Sequence, residues 1–340
     1  MQQPSQPTKE IVETILPVLK SFPTNEVAIV GCHATPGLSR RSCEYDLLIV
    51  NKEPVPAKFI HIGSGYAEVL FKSEQEIRQP TAELALTLAS AIPLRDNTLL
   101  LAGAIAESRR SFKHDCKKAM EMRLASSLKA MGRVDELISA GHPREADYWL
   151  LSAASDFAEA ELLTNGMVPA PSHIMTQLKS IPKRRQSNFK QWADAFGLEL
   201  SSKAACENRL EAISVVYDVL RNTSMVGELA AEMSEYREAE AVQVISMKAN
   251  ELEQNMQSVE CYAYLGQVAI RSLMDLYTLH SAKVSLEKDF SSIVRDLTVG
   301  EGRLISEEVV KSLGLVRSTE NLKASCDGLK PCVSSLAKKI

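Results

Sequence analysis

One stretch of the sequence, residues 26–50, does most to limit what the chain can fold into. It holds two short apolar segments separated by a glycine and a polar loop, which predicts two strands of one sheet. The first strand is predicted at Val27 to Val30 and ends at Gly31. The second strand carries Glu44 and Asp46, and because side chains alternate across a strand, both carboxylates lie on one face. Two adjacent carboxylates repel each other unless a cation lies between them, so the stretch predicts a cation site.

These residues resemble the nucleotidyltransferases of the DNA polymerase β-like superfamily, especially its kanamycin-nucleotidyltransferase-like and minimal members. Those proteins have Gly-Ser at the end of one strand and Ser-Asp-x-Asp followed by aliphatic residues in the next. Here Gly31-Cys32 stands at the first place, and Cys43 to Leu48 (CEYDLL) stands at the second. Cysteine thus replaces the phosphate-binding serine, and glutamate replaces the first aspartate. The resemblance covers roughly the first quarter of the chain.

The resemblance implies a Mg²⁺-dependent enzyme that moves a nucleoside monophosphate from an NTP, such as ATP, to a hydroxyl acceptor. Transfer of this kind needs magnesium ions that stabilise the entering and leaving oxygens, and carboxylates hold such ions. Glu44 and Asp46 would be metal ligands. Glu68 lies on a further predicted strand, residues 66–71, and would complete the metal site. It would also accept the proton from the attacking hydroxyl.

The resemblance also implies where the phosphates of the NTP would lie. Gly31, which has no side chain, would let them approach the backbone, and Cys32 would donate a hydrogen bond to them. A helix beginning near His33 would direct its positive end toward the phosphates. Either Arg40 or Arg41 would neutralise their charge, and the sequence does not choose between the two.

A plainer interpretation of the same residues is also open. Glu44 and Asp46 would then lie on the solvated face of an edge strand, and Glu68 would be an exposed strand residue. Gly31 would only make a turn. The order of helix, strand, glycine, loop, acid-x-acid and a further acid-bearing strand favours the nucleotidyltransferase fold over this interpretation.

The remainder of the chain has a different character, because from residue 81 onward the apolar spacing is helical almost to the end. The sequence therefore predicts an α+β fold in which a small mixed-sheet domain is followed by a large all-α bundle. The predicted nucleotidyltransferase-like domain spans residues 1–95, and the helical bundle spans 96–296. A small C-terminal helical segment, 297–340, contains a pattern found in helix-turn-helix modules.

Local signals predict where the first helices of this region begin and end. Residues 84–92 predict a helix that stops at Pro93, and residues 94–97 predict a break after it. A second helix is predicted over residues 99–128, with Gly132 as a further interruption. Later, residues 223–286 predict two long helices, whose methionines are interpreted as core residues.

Two basic patterns have alternative interpretations. Arg109 and His114 resemble the Arg-x(4 to 6)-His signature of HEPN-superfamily ribonucleases, although an exposed basic turn is the favoured interpretation. The cluster at residues 183–185 precedes Phe189 and Trp192. A solvated helix start with two core aromatics is favoured there over a patch for RNA or substrate phosphates.

Composition excludes several classes of protein. A net charge of −4 and a pI near 6.0 argue against binding nucleic acid by overall charge. The seven cysteines include no CxxC pair, which indicates neither a zinc ribbon nor a disulfide framework and fits a reducing compartment. No signal-peptide core or membrane-spanning run is recognised, so the sequence predicts a cytoplasmic protein without membrane contact.

The sequence leaves three functions open. The leading hypothesis is nucleotidyl transfer with Mg²⁺ as cofactor and an NTP as substrate, the acceptor being a small molecule, a protein or RNA. The second is a non-catalytic helical scaffold or regulatory protein with a relic nucleotidyltransferase domain. The third is a ribonuclease acting through Arg109 and His114. Whether the helical region forms a homo-oligomer is also left open.

Overall fold

A computed structural model of the protein describes residues 9–23, 25–52, 57–182, 188–223, 239–283, 292–299 and 303–338. Contacts within the chain divide it into two units. The first unit contains Met1–Ala119 and Val226–Lys248, and the second contains Met120–Met225 and Ala249–Ile340. No helix among the described residues is long and apolar enough to cross a membrane.

The first unit is built on a five-stranded sheet. Its strands are β1 (Val27–Ile29), β2 (Tyr45–Val50), β3 (Lys58–Ile62), β4 (Gly65–Lys72) and β5 (Ile92–Arg95). They lie in the order β3-β4-β2-β1-β5. The pairing of β2 with β4 is parallel, whereas the other three pairings are antiparallel, so the sheet is mixed as the sequence predicted.

Five helices begin among the described residues of the N-terminal segment of the first unit, Met1–Ala119. They are α1 (Lys9–Ser21), α2 (Gly31–Ala34), α3 (Glu74–Arg78), α4 (Ala82–Ser90) and α5 (Leu100–Ser139). Helix α1 packs against one face of the sheet, and α3, α4 and the first turns of α5 pack against the other face. The predicted order of helix, strand, glycine, loop and strand is therefore present.

Each face of the sheet has its own apolar core, and strand β2 contributes to both. Leu47 and Ile49 point to the side of α1, whereas Leu48 and Val50 point to the side of α4 and α5. All four are buried, as expected for a central strand covered on both faces. Because the alternation has a period of two, Asp46 points to the same side as Leu48.

The fifth strand corrects the sequence prediction around Pro93. Helix α4 ends at Ser90, and residues 92–95, predicted as a helix end followed by a break, form strand β5. This strand lies at the edge of the sheet, and within the described part of the chain its one pairing partner is β1. Proline has no N–H to donate, and an edge strand is the place in a sheet where that loss is tolerated.

The second unit is helical. Its helices are α6 (Pro143–Thr164), α7 (Ile174–Ser180), α8 (Phe189–Phe196), α9 (Lys203–Asn222), α10 (Ala239–Gln254), α11 (Ser258–Lys283), α12 (Ile293–Thr298), α13 (Glu307–Ser312) and α14 (Thr319–Ala337). Helix α10 begins in the first unit and ends in the second, and α5 does the same. The fold is thus α+β, a small mixed sheet followed by a large helical region.

Several predicted boundaries differ from those of the structure. Gly132 does not interrupt α5, which continues to Ser139, because a glycine inside a helix costs only about 1 kcal/mol relative to alanine. The two long helices predicted over 223–286 correspond to α10 and α11 in the described part of that range. The basic cluster at residues 183–185 lies outside the described residues.

Contacts group the chain differently from the predicted domains 1–95, 96–296 and 297–340. The first unit extends to Ala119 and also includes Val226–Lys248 from far along the chain. The segment predicted as a separate C-terminal domain belongs to the second unit. In that unit, Arg317 forms a buried ion pair with Asp147, in which Nη2 lies 2.6 Å from Oδ1 and both side chains are at most 2% exposed.

Candidate functional site

Three carboxylates converge on the α4 side of the sheet. In the parallel pairing of β2 with β4, Asp46 lies directly opposite Glu68, so their side chains share a face. Glu44 precedes Asp46 by two residues and points the same way. One carboxylate oxygen from each of the three residues lies within 4.8 Å of the other two. The structure thus brings together the three acids that the sequence singled out from two separate segments.

Gly31 lies against this cluster and follows strand β1 directly. The backbone N–H of Val30 donates to the carbonyl of Asp46 at 2.9 Å, which joins the end of β1 to the start of β2. Gly31 has a φ of +66°, a conformation that favours glycine, and a Cβ at this position would overlap the carboxylate of Asp46. A glycine is therefore required both by the turn and by the position of the acid.

A lysine from a distant part of the chain enters the cluster. Nζ of Lys248, on helix α10, lies 2.6 Å from Oε1 of Glu44 and 2.6 Å from Oε2. The side chains of Lys248 and Glu44 are 12% and 11% exposed, respectively. The pair is therefore largely shielded from water. An ion pair in such a site interacts more strongly than one at the surface.

Sequence reasoning missed Lys248, although a signal was present. Ala241, Val244 and Ile245 are buried, and Lys248 continues the same helical stripe at the seven-residue spacing. A lysine in an apolar stripe needs a partner, since burying an unpaired charge is costly. A second contact of α10 is the hydrogen bond that the hydroxyl of Tyr66 donates to Oε1 of Gln243.

The cluster contains more acidic groups than basic ones, since three carboxylates face one ammonium group. Burial raises the pKa of Asp46 well above its ordinary value, and the neighbouring Glu44 and Glu68 raise it further. Lys248 opposes these effects but does not cancel them. Since the ionised form of Asp46 is disfavoured by its own surroundings, the cluster favours binding of a positively charged species.

The predicted phosphate-contacting residues lie close to the cluster in sequence and differ in burial. Cys32 is buried, and its pKa is raised by a hydrogen bond with the side chain of Cys43, by burial and by the nearby acids, so its thiol stays neutral. The backbone N–H of Arg40 donates to Sγ of Cys43 at 3.3 Å. Arg40 is half-buried and Arg41 is exposed. Their contacts with phosphate remain predictions.

The residues present fit a divalent cation of the Mg²⁺ type. Hard cations prefer oxygen ligands, and Glu44, Asp46 and Glu68 supply carboxylate oxygens that face a common point. Because Gly31 has no Cβ, the carboxylate of Asp46 lies where that atom would be, directly against the backbone at the end of β1. Helix α2, predicted near His33, is only four residues long, and its N-terminus contributes little positive potential.

The other predicted pair, Arg109 and His114, lies on α5, where the two side chains have different surroundings. The guanidinium of Arg109 donates from Nε to the carbonyl of Ala89 at 3.0 Å and from Nη2 to that of Ala91 at 3.2 Å. It therefore fastens α5 to the end of α4. His114, five residues further along α5, is exposed. This geometry favours a structural role for Arg109 over a role in RNA cleavage.

Comparisons with known proteins add a distant structural likeness. No family model and no curated protein matches the chain. Among solved structures, the chain is similar to a nucleotidyltransferase-like protein from Exiguobacterium sibiricum 255-15, at 12% identity and a TM-score of 0.33. The match covers 79% of this chain and 79% of that one. A likeness at this level supports no conclusion about activity.

Proposed function

We propose that the first unit is a nucleotidyltransferase domain that uses Mg²⁺ to move a nucleoside monophosphate from an NTP, such as ATP, to a hydroxyl acceptor, with pyrophosphate as the leaving group. The proposal rests on one observation, the convergence of Glu44, Asp46 and Glu68 to within 4.8 Å of one another. The acceptor is a small molecule, a protein or RNA, and the site geometry does not distinguish among them.

The acids have different roles in this proposal. Glu44, Asp46 and Glu68 would hold the cation, which would supply positive charge to stabilise the phosphate oxygens during transfer. Glu68 would also accept the proton of the attacking hydroxyl, and its place on β4, opposite Asp46, puts it within the same cluster. Because the attacking hydroxyl must reach Glu68, the acceptor would bind on the same face of the sheet.

The remaining residues would position the triphosphate. Gly31, which has no side chain, would let the phosphates approach the backbone, as the resemblance implies. The neutral thiol of Cys32 would donate a weak hydrogen bond to a phosphate oxygen. Arg40 or Arg41 would neutralise phosphate charge. The observed order of β1, Gly31, α2, the acid pair and the acid-bearing β4 supports the proposal, since the sequence resemblance calls for that order.

The test replaces Asp46 by asparagine, which keeps the size of the side chain and removes its charge. We expect Asp46→Asn to lower both Mn²⁺ affinity and transfer of label from an α-labelled NTP by about tenfold or more, since even residues behind a metal ligand have effects of that size. Bound Mn²⁺ is measured by equilibrium dialysis, and label is followed on protein, RNA and cell metabolites.

The matched control is Glu74→Gln, which removes a charge from the same unit at a surface ion pair with Arg78. It should leave Mn²⁺ affinity and label transfer unchanged. If Asp46→Asn behaved like this control in both assays, the metal site and the proposed activity would have to be abandoned.

A second candidate is a non-catalytic scaffold or regulatory protein. Two features favour it: cysteine stands at position 32 in place of the serine of the resembling family, and Lys248 already pairs with Glu44. This candidate predicts no turnover of any NTP. It also predicts that Asp46→Asn leaves partner binding unchanged. Transfer of label from an α-labelled NTP by the wild type would rule this candidate out.

A further inference from the structure

Lys248 places a fixed positive charge inside the proposed metal site. We infer that its ammonium group takes the place of one divalent cation, so that the cluster binds one such ion rather than two. The inference rests on the proposed function and deepens it, because it specifies how many metal ions the nucleotidyl site uses. It also gives Lys248, which lies far along the chain from the three acids, a role in determining where the ion binds.

Charge balance supports a single ion. When all three carboxylates are ionised, as they would be as metal ligands, they and the one ammonium leave two negative charges, which one divalent cation neutralises. A second divalent cation would give the half-buried cluster an excess of two positive charges, whereas without Lys248 the excess would be one. Since uncompensated charge in a poorly hydrated site is costly, Lys248 and a second divalent cation exclude each other.

The contacts of Lys248 locate the position that it takes. Nζ lies 2.6 Å from each carboxylate oxygen of Glu44, so it occupies the side of the cluster that Glu44 would offer to a metal. Asp46 and Glu68, which face each other across β2 and β4, then form the ligand pair for the single ion. Glu44 acts chiefly as the partner that holds the ammonium in place.

The position of Lys248 is built into the fold and is not a chance surface contact. The side chain is 12% exposed and continues the buried stripe of α10 that includes Val244 and Ile245. The hydrogen bond between Tyr66 and Gln243 ties the same helix to β4, five residues before Lys248. This contact, made apart from the ion pair, helps to keep Lys248 beside Glu44.

The test counts Mn²⁺ ions bound per chain by equilibrium dialysis, with Mn²⁺ as the only ligand. The wild type should bind one ion. Lys248→Met, which has an unbranched side chain without charge, should bind twice as much Mn²⁺, because the position beside Glu44 is opened. Lys248→Arg keeps the charge and should bind one ion, as the wild type does.

The outcomes separate this inference from the proposed function. Two ions bound to the wild type, or no increase in Lys248→Met, would overturn the inference and leave the metal site standing. No Mn²⁺ bound to either protein would overturn the metal site and the inference together. If Lys248→Met does not fold, the number of Mn²⁺ ions bound per chain is still measured for the wild type and for Lys248→Arg. More than one ion bound to either of these proteins would contradict the inference.

Discussion

Gly31 meets two requirements at once, one from its own backbone and one from its neighbour. Its φ of +66° suits glycine, and a Cβ there would overlap the carboxylate of Asp46. Gly37 has a similar φ, +78°, but a Cβ there would meet nothing within 4 Å. Substitution of Gly37 therefore tests the cost of the backbone conformation alone, whereas substitution of Gly31 adds the cost of crowding the acid cluster.

We expect Gly37→Ala to lower the free energy of unfolding by about 1 kcal/mol, the cost of a left-handed conformation in alanine. Gly31→Ala should cost about 3 kcal/mol or more, because the overlap with Asp46 adds to that strain. It should also weaken Mn²⁺ binding, whereas Gly37→Ala should not. Urea unfolding and Mn²⁺ dialysis measure the two effects, and equal losses of stability would show that Asp46 moves aside without cost.

The site residues differ in how far the sequence could predict them. Glu44 and Asp46 follow from alternation along a strand, a local rule that needs no knowledge of the fold. Glu68 needed the family resemblance as well, because its pairing with Asp46 depends on a strand register that the sequence does not specify. Lys248 is separated from Glu44 by 204 residues, and no local rule joins them.

At the scale of elements, strand β5 shows why sequence signals fail at the edge of a sheet. Pro93 is a strong helix-ending signal, and it was followed by residues without clear periodicity. What makes residues 92–95 a strand is pairing with β1, which comes from elsewhere in the chain. The central strands β1 and β2 were predictable because their burial on both faces leaves an apolar signature in the sequence itself.

Strand β5 also fastens helix α1 to the sheet through Arg95. The guanidinium donates from Nη2 to the carbonyl of Leu19 at 3.1 Å and from Nη1 to the carbonyl of Phe22. These carbonyls lie at the C-terminal end of α1, where backbone acceptors lack partners within the helix. Arg95 therefore acts as a side-chain cap supplied by another element.

We expect Arg95→Met to lower the free energy of unfolding by about 1.5–3 kcal/mol, the usual effect of a lost hydrogen bond to a charged group. Arg78→Met removes an arginine from an exposed ion pair with Glu74 and should cost less than about 1 kcal/mol. Urea unfolding of both variants, with the wild type alongside, gives the comparison. Similar costs for the two would mean that Arg95 does not hold α1 to the sheet.

At the scale of the whole molecule, the α+β class was predictable and the grouping of segments was not. The change from strand-like to helical spacing near residue 81 is present in composition and periodicity. By contrast, Val226–Lys248 belongs with the first unit through contacts made only in the folded chain. Long-range assignments of this kind depend on side-chain packing between segments, which periodicity does not encode.

The second unit is held together by contacts between distant segments, and one of them depends on pH. Glu145, at the start of α6, accepts a hydrogen bond through Oε1 from the backbone N–H of Arg295 on α12. Its Oε2 is buried without a hydrogen-bond partner among the described residues. Burial raises the pKa of Glu145 to about 7, although the hydrogen bonds from Arg295 and Val294 act in the opposite direction.

A raised carboxylate pKa means that the folded chain holds a proton that the unfolded chain has already released. Stability from this group is therefore complete below the ordinary glutamate pKa of 4.5 and is lost as pH rises toward 7. The loss of stability between pH 4.5 and 7 should be about 3 kcal/mol.

Glu145→Gln stays neutral and keeps an acceptor for Arg295, so its stability should not fall in this way. Glu308→Gln, at an exposed glutamate, should follow the wild type. Urea unfolding between pH 4.5 and 7.5 measures the three proteins, and parallel curves for wild type and Glu145→Gln would show that Glu145 is ionised throughout.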